Sequence, residues 1–230
     1  MAKSDSILAL QGTIAGLTFV RSRAYGDHVR AKRGTYKKAE VNEALRQESK
    51  ALLNANIPAK IFKDAIDPYR NNIRGGTLWQ KLVSMFRKQL KNLGSIDFGK
   101  IERFDIHADY PFDRFLYLQP TIKLEKKKTR LDVHAEYDHH PRFKVKSING
   151  YRLTVIGIFP DLKKKTSKTL AVESSVLKLT GVIDPLHVQL EIPPKAKSFI
   201  VCIRIEGCIG NVVSNSKTTN GLSVFGSGMI

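Results

Sequence analysis

The chain has 230 residues, 42% of them hydrophobic, enough to bury a real core as one large domain or two modest ones. Its 39 Lys and Arg against 21 Asp and Glu leave a formal charge of +18, which says little about fold but points to anionic partners: nucleic acid, an anionic membrane or an acidic protein. Cys202 and Cys208 would lie roughly 20 Å apart on one extended strand and form no CxxC pair, which weighs against a disulfide scaffold and a zinc site.

The opening MAKSDSILALQG carries one Lys and a short apolar patch, without the apolar run and cleavage site of a signal peptide. No stretch approaches the roughly 18 apolar residues of a membrane span. The longest candidate, residues 199–205, contains Arg204 and alternates like a strand. The sequence therefore predicts a protein kept in the cytoplasm, or within an assembly formed from cytoplasmic material.

Residues 12–38, GTIAGLTFVRSRAYGDHVRAKRGTYKK, are expected to form a basic hairpin. Ile14, Leu17 and Phe19 supply an apolar strand, Tyr25-Gly26-Asp27 a turn and residues 28–32 a return strand. Arg21, Arg23, Arg30, Lys32, Arg33, Lys37 and Lys38 stand there against the single acid Asp27. A two-stranded hairpin is marginal by itself in water, so Ile14, Leu17 and Phe19 must be buried against something. These three are the predicted assembly residues.

A helical unit follows over residues 39–94. Val41, Ala44, Leu45, Glu48, Leu52 and Ala55 recur at helical spacing over residues 39–56, with Leu53 broadening the stripe. Pro58 is expected to stop that helix and to open a second short one that ends near Pro68. Thr77 is a candidate N-cap, residues 78–93 read as the clearest helix, and Gly94 suits its C-terminal cap. Lys81, Arg87, Lys88 and Lys91 fall mostly on the polar surface of that helix.

From Ser95 the period changes to two. Strands are predicted at residues 115–118, 122–124, 131–135, 143–145, 153–159, 171–179, 186–192, 199–205 and 221–225, with Asn149-Gly150 as a hairpin turn. This spacing reads as an antiparallel β-sandwich, immunoglobulin-like in layout but without the Cys-Trp-Cys core of antibody domains. The predicted fold class is α+β: an N-terminal arm or hairpin (1–38), a helical unit (39–94) and a β-sandwich domain (95–230).

The series Gly12-Thr13-Ile14-x-Gly16-Leu17-Thr18-Phe19, then Val29-Arg30-x-Lys32 and Asn42-x-Ala44-x-Arg46, resembles a family of uncharacterised small basic bacterial proteins. These share a Met-Ala-Lys start, a G-x-(I/L)-x-G-L-x-F opening, a helical middle and a β-rich C-terminal part. The motif match covers about the first 90 residues and the rest follows in layout only. Val20 and Ala24-Tyr25 depart from the pattern, which usually has an aromatic residue and a Gly-bearing turn there. The resemblance implies no activity. It implies that the hairpin and helices belong together.

The densest chemical cluster is Asp132, His134, Glu136, Asp138, His139 and His140. Strand alternation puts the first four on the polar side of one strand, where ligands do not converge, so no metal is assigned. No nucleophile elbow, phosphate loop or cofactor fingerprint is present, and the protein reads as a non-enzyme without cofactor. Lys126, Lys127 and Lys128 add to the charge at a strand junction, as do Lys163, Lys164 and Lys165. The arginines flanking Tyr25 and Tyr36 suit phosphate binding and base stacking, sequence-tolerant and salt-dependent. The predicted nucleic-acid contacts are Arg21, Arg23, Arg30, Lys32, Arg33, Lys37, Lys38, Lys126, Lys127 and Lys128. The expectation is a homo-oligomeric structural protein, assembled through its hairpin and facing nucleic acid or another polyanion. The alternative is a monomeric, sequence-tolerant nucleic-acid binder.

Overall fold

A computed structural model describes residues 2–3, 11–21, 26–32, 42–73, 75–125 and 129–230. The chain divides into two compact units, Met1–Gln47 and Glu48–Ile230.

The first unit holds a four-stranded antiparallel sheet of β1 (Ala2–Lys3), β2 (Gly12–Ile14), β3 (Leu17–Val20) and β4 (His28–Ala31), in the order β1-β4-β3-β2. The expected return strand is β4, but Ile14, Leu17 and Phe19 do not share a strand. The chain reverses at Ala15-Gly16, where both residues have positive φ (49° and 80°), the requirement of a two-residue type I′ hairpin. Ile14 and Leu17 are three apart in sequence, a spacing that breaks strand alternation. The reversal pairs them directly across the hairpin. Tyr25, placed in the expected turn, lies outside the described residues.

The helix α1 (Glu43–Ile66) begins at Asn42, whose side-chain Oδ1 accepts from the Leu45 amide at 2.8 Å, an N-cap. It runs through Pro58, contrary to the expected break. An interior proline costs a helix about 3 kcal/mol. Here Pro58 is buried with Ala59, Ile61, Phe62, Ala65 and Ile66, and each large apolar side chain so covered contributes about 1.5–3 kcal/mol. Burial outweighs the lost backbone bond. The helix α2 (Leu78–Leu93) matches its expected bounds, and the Gly94 amide, at φ 68°, donates to the Leu90 carbonyl at 3.0 Å.

The strands that follow are β5 (Phe104–Asp105), β6 (Thr121–Leu124), β7 (Arg130–Ala135), β8 (Gly150–Asp161), β9 (Thr166–Glu173), β10 (Leu177–Lys178), β11 (Leu186–Glu191), β12 (Ser198–Ile209), β13 (Val212–Val213) and β14 (Asn220–Met229). One sheet runs β10-β8-β12-β14-β5, with β9 paired to β8 and β13 to β12; a smaller one runs β11-β7-β6. The fold is α+β, with two α-helices and antiparallel sheets among the described residues. Residues 115–118 and 143–145 are not strands: Phe115, Leu116 and Leu118 are buried in irregular chain that follows a short 3-10 turn. Asn149-Gly150 makes no hairpin either. Gly150 opens β8, and the Asn149 side chain accepts from the Gly210 amide at 2.7 Å, bracing the β12–β13 turn instead.

Two apolar cores lie on opposite faces of the large sheet. Tyr151, Leu153 and Val155 of β8 and Val201, Ile203 and Ile205 of β12 share a core with Leu131 and Val133 of β7 and Val188 and Leu190 of β11. The alternate residues Ile156, Ile158, Ile200 and Cys202, with Leu222 and Val224 of β14, share the other core with both helices. The central strands are thus covered on both sides, which is why they read as continuous apolar runs. Gly157, opposite Val201, faces the small sheet; a Cβ there would stand 2.7 Å from the Leu190 Cδ1. Gly157→Val is therefore expected to cost about 1–3 kcal/mol through overpacking, read as a lower urea midpoint. An unchanged midpoint would contradict this packing.

Candidate functional site

Strand register sorts the first unit's side chains by face. Ile14 opposes Leu17, Leu17 opposes Ala31 and Phe19 opposes Val29, so these five share one apolar face. Thr13, Thr18 and Arg30 share the other, and the Thr13 and Thr18 hydroxyls meet at 3.0 Å. Ile14 is 59% exposed and Leu17 47%. Apolar side chains are also exposed on the first half of α1, where Leu45, Leu52 and Leu53 are uncovered. They belong to the expected helical stripe, and neither core absorbs them.

Of the predicted nucleic-acid residues, Arg21, Arg30 and Lys32 are described. Arg21 and Lys32 are exposed and Arg30 is half-buried on the face away from Ile14, Leu17 and Phe19. Arg23, Arg33, Lys37, Lys38, Lys126, Lys127 and Lys128 lie outside the described residues.

A second basic feature belongs to α2. That helix carries Lys81, Arg87, Lys88 and Lys91 and no acid. Arg87 is engaged by Glu48 of α1. On the side of Lys81 and Lys88, a groove of about 800 Å³ separates α2 from Lys100 and Glu102, with Met85 and Leu93 among its lining. Its far wall is fixed. The buried Gln89 amide donates to the Asp97 carbonyl at 3.0 Å and accepts from the Asp97 amide at 3.1 Å. The Ile101 amide donates to Ser227 Oγ at 2.8 Å, and that hydroxyl donates back to the Ile101 carbonyl at 2.9 Å.

The histidine-rich segment does not converge. His134 Nε2 is 4.0 Å from Glu136 Oε1, and its ring lies 6.0 Å from that of His187 on β11. His139 Nδ1 meets Asp138 Oδ1 at 2.7 Å, and this contact holds the Asp138 carboxyl below its usual range. His140 Nε2 faces the Gly181 carbonyl at 3.2 Å. Among the described residues no group of three or more His, Cys, Asp or Glu could hold a metal ion.

A charged pair that strand alternation gives no reason to expect lies inside the fold. Arg204 and Glu206 of β12 sit on the helix side of the large sheet, 9% and 4% exposed, joined by a 2.7 Å ion pair. Arg204 also donates to the Asn71 carbonyl at 3.2 Å, and Arg152 pairs with Glu173 at 3.0 Å beside it. Burial pushes the Glu206 carboxyl up and the Arg204 guanidinium down, so for both groups desolvation outweighs the mutual attraction. The signal was present as two charges of opposite sign within IVCIRIEGCI. His107 is buried too, its Nδ1 accepting from the Asp109 and Tyr110 amides at 3.2 Å each, and burial lowers its pKa. Cys202 and Cys208 are buried free thiols, both pushed up by burial.

Among the described residues, no helix is long and apolar enough to cross a membrane. No family model, curated protein or solved structure matches the chain.

Proposed function

We propose that the protein is a non-enzymatic assembly subunit, which self-associates through its N-terminal hairpin and turns a basic surface toward nucleic acid. The observation that carries this reading is the exposed cross-strand pair Ile14–Leu17, at the turn end of a face that also holds Phe19, Val29 and Ala31. Covering side chains of this size contributes about 1.5–3 kcal/mol each, and a second copy offers a face of the same chemistry. Arg30 points to the opposite side, so association and anion contact do not compete for one surface. In this reading the β-rich part is an immunoglobulin-like scaffold, and the subunit works in the cytoplasm or in an assembly formed there.

The test is solution mass by light scattering, with and without nuclease and high salt. The natural chain is expected to be a multimer that survives both treatments, and Ile14→Glu/Leu17→Glu is expected to reduce it to a monomer. Arg30→Glu should leave the mass unchanged while weakening nucleic-acid binding. A natural chain that is monomeric at every concentration overturns the assembly reading. A monomer that still binds nucleic acid with a steep salt dependence favours the second reading, a sequence-tolerant polyanion binder, for which the charge of +18 is the motive.

A further inference from the structure

We infer that the groove along α2 is a binding site for a single nucleic-acid strand, with Lys81 and Lys88 on one wall and Lys100 on the other meeting its phosphates. This rests on the reading that a basic surface faces nucleic acid, and it assigns that role to residues outside the N-terminal arm.

Three observations carry it. The first is charge: Lys81 and Lys88 form no ion pair with any described residue and lie seven apart, about 10.5 Å along one side of the helix. Lys100, whose ammonium is 3.8 Å from the Asp97 carboxylate, faces them across the groove. Glu102 is the one acid of the lining. The second is shape. A bilayer presents a flat surface, whereas this site is concave, and its volume of about 800 Å³ is that of a small-ligand site. It admits a few nucleotides of an unpaired strand and is too small to seat a duplex.

The third observation is preorganisation. Gln89 ties α2 to Asp97, and the paired Ile101–Ser227 bonds tie the opposite wall to β14, so the walls are set before a ligand arrives. Gln80 and Asn92 offer donors and acceptors without a fixed base pattern, while Met85 and Leu93 supply apolar surface for sugars and base faces. The lysine–phosphate contacts carry no sequence information, so binding here is sequence-tolerant.

The experiment is fluorescence anisotropy of the full chain with fluorescein-labelled oligothymidylate over a salt series. Lys81→Gln/Lys88→Gln/Lys100→Gln is expected to weaken binding by about tenfold or more at low salt. It should also flatten the slope of log affinity against log salt by about 2, from roughly 0.7 per lost phosphate contact. Glu102→Gln is expected to tighten binding. If the natural chain binds and the triple variant keeps its affinity and slope, the groove assignment is overturned while the basic-surface reading stands. If the natural chain fails to bind at low salt, both fall. Should circular dichroism show the triple variant unfolded, Glu102→Gln decides alone: tighter binding supports the site and unchanged affinity overturns it. Binding to phosphatidylserine vesicles without binding to oligothymidylate also overturns it.

Discussion

Glu206→Ala is expected to cost about 3–5 kcal/mol of stability, because it leaves the Arg204 guanidinium buried beneath the helical layer without its carboxylate. The cost comes from stranding a charge rather than from losing a favourable bond. Burial already shifts both groups toward their neutral forms, so the pair contributes little net stability. Arg204→Met/Glu206→Leu should accordingly fall within about 1 kcal/mol of the natural chain, since replacing a buried ion pair by apolar side chains is often neutral or stabilising. Urea unfolding of Arg204→Met, Glu206→Leu and the double variant measures the cycle. A Glu206→Ala protein unfolding at the natural midpoint would show that the site is wetter than its burial implies.

Phe62→Ala is the second large effect, also about 3–5 kcal/mol. Phe62 is fully buried on α1, its ring centroid 6.0 Å from that of Phe104, in the core that joins the helices to the large sheet. Truncation leaves a cavity between two elements that are each held by other contacts, so the site collapses only in part. Leu53→Ala, nine residues earlier on the same helix but 62% exposed, should change stability by no more than about 0.5 kcal/mol. Equal losses at the two positions would mean that α1 is covered along its whole length.

The contrast between those leucines and Phe62 shows where the sequence was legible. Hydrophobic periodicity marks an apolar stripe on each side of Pro58 but cannot say which of them finds a partner in the same chain. The small sheet was plain to read: Leu131-Asp-Val-His-Ala alternates because one face packs and the other meets water. In β8 and β12 both faces are buried, the period vanishes, and nothing local reports that two helices cover one side. Pro58 and Asn149-Gly150 misled for a related reason. Each obeys a strong local rule that tertiary packing overrode, the first by burial and the second by recruiting Asn149 to another turn. The groove on α2 was half visible: its lysines lay on the expected polar surface, but the wall opposite them belongs to a segment with no periodicity.

The position of β14 sets an order in time. The pairs between β8 and β12 join residues about 40–60 positions apart, and long-range pairing of this kind is slow because loop closure precedes its reward. The two helices emerge from synthesis before β14, yet part of the surface they cover, Leu222 and Val224, lies on that strand. Until β14 slots in beside β12, the apolar sides of α1 and α2 have only half a platform. The chain therefore passes through a stage in which its most hydrophobic strands and helices are made but unmatched, the stage most exposed to misassociation. Lys163, Lys164 and Lys165, in the turn between β8 and β9, set three like charges beside the apolar β8, a placement that opposes association between chains.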